Sequence, residues 1–380
     1  MSGRRRADRS TPSVFLAASA FQYPSSQKTT EKTKVLCLAL ADALSINLKT
    51  MLDLALSSMM SSPIYLLAQD AAADVTEATG ESFSYTSLAN QALNGIGIVG
   101  ILLLTALGLA ITFGVMRIIN LAHGEFIMLG AYITFWMQDT FNMDLLLTIP
   151  FAFIGTALVG ALVELTIIRR LYGRPLETLL ATWGLSIVLQ GVIKLIFTAQ
   201  LKYVKAPSYL SGSIDLMTDE AGSALVSISY YRFFIVVVAL ALLGITMFLF
   251  YGTSWGRQIR AVTQNRSMSQ CLGVNTKLID MGTFAYGCGL AGIAGTVISA
   301  LKTVSPPMGQ DYLVDSWMVV VTGGVDKLIG ILAGAFLIGE SNAIIAFLLN
   351  DPTARVLVLG AVIVLIRYRP EGLFTVQKRS

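Results

Sequence analysis

The sequence predicts an all-α, polytopic transmembrane helical bundle with seven to nine crossings, some made by broken or re-entrant short helices. Three observations predict it. Charged residues are only 13% of the 380-residue chain, against roughly 25% in soluble domains, while 54% are apolar and the mean hydropathy is +0.69. Several apolar windows reach the ~20 residues that a hydrocarbon core about 30 Å thick demands of a helix. Finally, Ile118–Gly130 (IINLAHGEFIMLG) interrupts the apolar run with a polar, glycine-bearing break. In a bilayer such backbone survives only where protein or a water-lined cavity satisfies it, so the break marks a path for a solute.

Residues 1–94 read as a tail and a polar outer region. Arg4, Arg5, Arg6 and Arg9 precede many Ser and Thr, and Met51–Ala68 is weakly apolar and flawed by Asp53. Ala71-Ala72-Ala73 fits a small-residue cleavage pattern. Two readings stand: a signal peptide cut near Ala73, or an untranslated upstream stretch with Met51 as the real start. Asp70–Ser87 is acidic and is placed outside.

Residues 95–374 form the membrane domain. Its apolar stretches are Ile96–Met116, Phe126–Met137, Leu145–Ile168, Leu176–Ala199, Phe233–Tyr251, Met281–Leu301, Trp317–Val325, Leu328–Leu349 and Val356–Ile366. Phe126–Met137 and Trp317–Val325 are too short to span alone and read as broken or re-entrant helices. Lys and Arg mark cytoplasmic loops. Arg169, Arg170 and Arg174 mark one, Arg257, Arg260, Arg266 and Lys277 a second, and Arg367, Arg369, Lys378 and Arg379 the C-terminus. With the start of Ile96–Met116 outside, all three fall inside, which leaves residues 375–380 as a cytoplasmic tail.

Several motifs exclude chemistry. Gly287-Cys288-Gly289-Leu290-Ala291-Gly292 is a formal GxGxxG, but it lies inside an apolar helix with no preceding strand, so it does not bind a dinucleotide. Close helix packing accounts for it, as for Gly330-xxx-Gly334 and Ala106-xxx-Ala110-xxx-Gly114. No P-loop occurs, so any ATP is hydrolysed on another subunit. Cys37, Cys271 and Cys288 are scattered and define neither a disulfide framework nor a metal site. His123, the only histidine, and Glu125 are too few ligands for zinc. Nothing assembles a nucleophile and base, so the chain is read as a transport subunit without enzyme activity, cofactor, metal or nucleic acid.

Charges inside a membrane are expensive, about 2.5–3.5 kcal/mol or more at the centre, and so point to function. Glu125, Glu164, Glu177, Lys194, Asp326 and Glu340 qualify, Glu340 most clearly, deep in its span beside Ser341 and Asn342. The loop at 252–280 mixes Arg257, Arg260 and Asn265 with Ile259, Val262 and Leu272 up to Gly273. It reads as a short amphipathic helix along the membrane, either an ordinary basic loop or a docking element for a cytoplasmic motor.

The stretch GLAITFGVMRIINLAHGEFIMLGAY (Gly108–Tyr132), the loop GRQIRAVTQNRSMSQCLGV and the segment MVVVTGGVDKLIGILAG (Met318–Gly334) resemble the branched-chain amino-acid family of ABC permeases. RRLYGRPLETLLATWGLSIVLQ (Arg169–Gln190) and GQDYLVDSWMVVVTGGV (Gly309–Val325) resemble its urea-type branch. The resemblance runs from about Gly95 to Phe374. It implies a multi-pass subunit of the bacterial inner membrane that works with a second homologous permease, two ATP-binding subunits and a periplasmic solute-binding protein. It also implies that the loop around Arg260–Gly273 touches an ATP-binding subunit. Two departures are Asp326-Lys327, where a neutral residue often follows Gly-Gly-Val, and Arg117, at a position often glycine.

Urea is planar, neutral and rich in N–H donors, and crosses apolar material poorly because its polar groups would go unpaired. Asn120, His123, Glu125, Thr182, Trp183, Gln190, Asp315, Trp317 and Glu340 are the candidates for its path; Arg257, Arg260, Asn265 and Gly273 are those for coupling to the motor. Four heavy atoms cap the affinity at roughly 6 kcal/mol, tens of micromolar, so concentration requires ATP-driven alternating access. The expected function is a urea importer subunit. A permease for branched-chain amino acids or short amides, and a passive urea or amide channel, are the alternatives.

Overall fold

In the computed structural model the described residues are 85–218, 224–324, 328–369 and 372–373. The signal-peptide and start-site readings, Asp326-Lys327 and the tail at 375–380 lie outside them. Continuous apolar stretches make helices because only a helix satisfies its own backbone in lipid. They are α1 (Tyr85–Met116), α2 (His123–Phe141), α3 (Leu145–Thr166), α4 (Pro175–Phe197), α5 (Tyr230–Gly252), α6 (Ser254–Gln264), α7 (Arg266–Cys271), α8 (Thr276–Ser299), α9 (Met308–Gly323), α10 (Leu328–Leu348) and α11 (Asp351–Tyr368).

Six helices among the described residues are long and apolar enough to cross a membrane: α1, α3, α4, α5, α8 and α10. The two expected short members, now α2 and α9, and the last stretch, α11, account for the difference from nine stretches. α2 and α9 carry polar first turns, and α11 has 18 residues including Asp351, Arg355 and Arg367. The expectation of an all-α chain needs one correction. The loop at 200–231 contains an antiparallel hairpin, β1 (Ser213–Thr218) and β2 (Ala224–Ser229), paired Ser213 with Ser229 and Ile214 with Ile228. The short alternations Ser213-Ile214-Asp215-Leu216 and Val226-Ser227-Ile228-Ser229 carry that signal.

α1 and α8 form the core: 78% of the apolar window of each is buried, against 28% in α3 and α5 and 17% in α4. Glycines set this packing. A side-chain carbon on Gly130 would strike the Gly292 backbone, one on Gly295 the Ile127 carbonyl, and one on Gly287 the Gly108 carbonyl. The helices approach this closely because small residues allow it where no hydrophobic drive separates helix from lipid. The GxGxxG stretch is therefore a packing face.

Candidate functional site

The break between α1 and α2 is built residue by residue. α1 stops at Arg117, a non-glycine residue at φ 54° whose N–H still reaches the Phe113 carbonyl at 3.0 Å. The left-handed region is unfavourable for a side chain, so this turn favours glycine and Arg117 tolerates it at some cost. The chain then runs back into the bundle. Asn120 Oδ1 accepts the Ala122 N–H at 3.0 Å, forming a local turn, and Thr182 Oγ1 of α4 accepts the Leu121 N–H at 3.2 Å. His123 Nε2 donates to the Thr105 carbonyl at 3.0 Å; a carbonyl only accepts, so this nitrogen carries the proton. Thr105 stands eleven residues before Met116, so α2 begins roughly 16 Å along the α1 axis from its C-terminal end. α2 is thus a helix that starts in the middle of the bundle.

From there α2 runs alongside α8 in the same direction. Phe126 meets Phe284 edge-on at 6.2 Å, and Thr134 donates to Thr296 Oγ1 at 2.8 Å. α9 begins at the same level, because the Gly309 backbone lies against that of Gly124. Two helix N-termini therefore meet inside the bundle, each bringing the positive end of a helix dipole.

Glu125 occupies the first turn of α2 and is buried. Its Oε1 accepts from Ser186 Oγ at 2.8 Å and from Gln190 Nε2 at 2.8 Å. Thr182, Ser186 and Gln190 are spaced i, i+4, i+8 on α4 and so form one stripe. Ser186 was absent from the sequence-based candidates, although that spacing points to it. Three buried atoms in the break have no partner among the described residues: Glu125 Oε2, Asn120 Nδ2 and His123 Nδ1. Buried polar atoms are normally paired, so three within six residues set this place apart.

The structure thus brings Asn120, His123, Glu125, Thr182 and Gln190 together and separates the other path candidates. Trp183 is 55% exposed and turns away from the stripe that its neighbour Thr182 joins. Trp317 packs edge-on against Phe113 at 4.8 Å, toward the C-terminal end of α1, and its Nε1 has no partner among the described residues. Asp315, partly buried on α9, lies in the field of Arg355 and Lys302. Glu340 lies against Gly95, ten residues and about 15 Å along α1 from Thr105. The exposed polar pair Gln310 and Asp311, in the first turn of α9, was missed because it precedes the apolar stretch.

The coupling candidates lie on a helical hairpin. Thr253 caps α6 through the Gly256 N–H at 3.1 Å, and Asn265 separates α6 from α7 and caps the latter through the Met268 N–H at 3.0 Å. Gly273 follows at φ 83°, where glycine is needed. Arg260 bonds the Phe250 carbonyl and covers the Tyr251 ring, whereas Arg257 is exposed. Among the described residues no group of three metal-ligating side chains occurs.

Residues 91–367 match the family described as "Branched-chain amino acid transport system / permease component". The chain belongs to this family. The permease is similar to the high-affinity branched-chain amino acid transport system permease protein BraD of Pseudomonas aeruginosa, at 29% identity over 74% of this chain and 94% of that protein. Its identity to LivH of Salmonella typhimurium is 27%, over 77% and 96% of the two chains. To the probable LivH of Methanocaldococcus jannaschii it is 27%, over 70% and 84%. No solved structure matches at a significant level.

Proposed function

We propose that this permease is the translocation subunit of an ATP-driven importer for urea, with the path running through the α1–α2 break. The observation that carries the reading is the set of unpartnered atoms there: a carboxylate oxygen, an amide N–H₂ and an imidazole nitrogen. Urea offers N–H donors for the first and the third and a carbonyl for the second, and a site built to hydrogen-bond a polar solute discriminates by leaving its own groups unpaired when the solute is wrong. Among the described residues no cation hydrogen-bonds within this group to receive a solute carboxylate; Lys194 acts on Glu125 only through space. Asn120, His123, Glu125, Thr182 and Gln190 thus form the centre of the path, and Trp183, Asp315, Trp317 and Glu340 lie away from it. Because the group is buried, transport requires the helices to part around it, and energy comes from ATP-binding subunits docked on the 252–280 hairpin through Arg257 and its neighbours. The C-terminus lies on the cytoplasmic side, and a second homologous permease and a periplasmic solute-binding protein complete the assembly.

A second reading, a branched-chain amino-acid permease, is favoured by what BraD and LivH are named for transporting. Competition uptake separates the two. Cells complemented with the full transport system take up trace labelled urea, and excess unlabelled leucine leaves that uptake intact. Block by leucine but not by urea selects the second reading. Uptake that persists after ATP depletion, with no ATP-binding subunit co-purifying, refutes both in favour of a channel.

A further inference from the structure

The α6–α7 hairpin is joined to the membrane-spanning helices by a set of charged and aromatic contacts. Arg266, at the start of α7, pairs with Asp280 Oδ2 of α8 at 2.6 Å, and its guanidinium lies over the Tyr172 ring at 4.7 Å. The Tyr172 hydroxyl donates to Glu164 Oε1 at the end of α3 at 3.3 Å. Glu164 is buried and receives Arg169 at 2.9 Å, and Arg169 also donates to the Lys277 carbonyl of α8 at 3.4 Å. Burial, the nearby Asp280 and Glu164 charges and the bond to Glu164 all push the Tyr172 hydroxyl up, against the opposing pull of Arg266, so the phenol stays a donor.

Next to these contacts is a cavity of about 130 Å³, with Arg117, Tyr172, Val262, Arg266, Asp280 and Thr283 in its wall. The hairpin is therefore not packed solid against the spans on this side. Arg266 is the side chain that bridges the gap, with one face on the α3–α4 loop and one nitrogen on α8.

We infer that Arg266 is a positioning residue that transmits movement of the α6–α7 hairpin to α3 and α8, with Tyr172 as the platform that fixes its guanidinium. Arginine suits the role because a planar guanidinium stacks on a ring and pairs with a carboxylate at once, which an ammonium does not do. α8 is the helix whose Gly292 and Gly295 touch α2, so a shift of α8 reaches the turn that carries Glu125. The inference rests on the reading of this chain as the membrane subunit of an ATP-driven importer.

The test is the complete importer reconstituted in vesicles, with ATP hydrolysis and uptake of labelled solute measured together. Arg266→Ala lowers uptake per ATP roughly 2- to 30-fold, the range a broken coupling link of 0.5–2 kcal/mol gives, while the ATP-binding subunits still co-purify at wild-type stoichiometry. Arg266→Lys, which keeps the charge and loses the stack, falls between. Tyr172→Leu reproduces Arg266→Ala and is decisive if that variant is not recovered. Wild-type coupling in either Arg266→Ala or Tyr172→Leu, or loss of the ATP-binding subunits, overturns the inference. A wild-type assembly that shows no ATP-dependent uptake instead overturns the proposed function, so the two failures are distinct.

Discussion

Gly124 and Gly309 lie backbone against backbone, so the N-terminus of α2 and the N-terminus of α9 meet inside the bundle. A side-chain carbon on either residue would overlap the other's carbonyl. This contact holds the two broken helices end to end beside Glu125, and it sets the first prediction. Gly124→Ala and Gly309→Ala each destabilise the detergent-purified protein by about 1–3 kcal/mol, the usual cost of overpacking. Thermal unfolding followed by size-exclusion chromatography reads this; an unchanged melting temperature for both would remove the contact as a structural constraint.

Glu125→Gln keeps an oxygen for Ser186 and Gln190 but replaces the free carboxylate oxygen with a donor. Membrane levels are expected to stay near wild type while uptake falls about tenfold or more, the effect of leaving one solute hydrogen bond unmade at about 1–3 kcal/mol. Glu125→Ala is expected to lower the membrane level as well, because Ser186 and Gln190 then lose a shared partner. Immunoblots beside initial uptake rates distinguish the two variants.

A third expectation concerns an interhelical hydrogen bond outside the break. Thr134 donates to Thr296 across α2 and α8 at 2.8 Å. Such bonds inside membranes average only about 0.6 kcal/mol. Thr134→Val is therefore expected to change thermal stability far less than Gly124→Ala and to leave uptake intact. A larger loss than Gly130→Ala causes, where a side-chain carbon would strike the Gly292 backbone, would show that polar contacts, not glycine packing, hold α2 on α8.

The loop at 200–231 is tied back to the turn between α2 and α3. Tyr209 donates to Asp144 Oδ2 at 2.5 Å, and Gln138 exchanges bonds with the backbone of Lys205. Partial desolvation and the Asp144 carboxylate push the Tyr209 hydroxyl up to about 12. The neutral phenol is the form the fold favours, so the tie is fully present below the ordinary tyrosine value near 10 and is lost as pH rises through about 12. An ultraviolet titration is expected to lose one tyrosine equivalent from the population titrating near 12 in Tyr209→Phe relative to wild type. Ionisation of that residue at the ordinary value would break the link.

The sequence determined the bundle, its glycine packing faces, the break at Ile118–Gly130 and the amphipathic 252–280 segment. Each of these is a local property: apolar length, small residues at helical spacing, or a polar interruption whose backbone lipid cannot satisfy. The stripe of Thr182 and Gln190 was partly legible for the same reason. Only the tertiary structure decided that Glu125 bonds Ser186 and Gln190, that Trp183 faces away, and that Trp317 and Glu340 sit elsewhere along α1. Helix rotation and depth are set by packing between segments far apart in sequence, and an apolar stretch of near-uniform hydrophobicity carries no mark of which face turns inward. The meeting of Gly124 with Gly309 and of Arg266 with Asp280 follows from that packing alone, because no spacing within one segment specifies the neighbour it will touch.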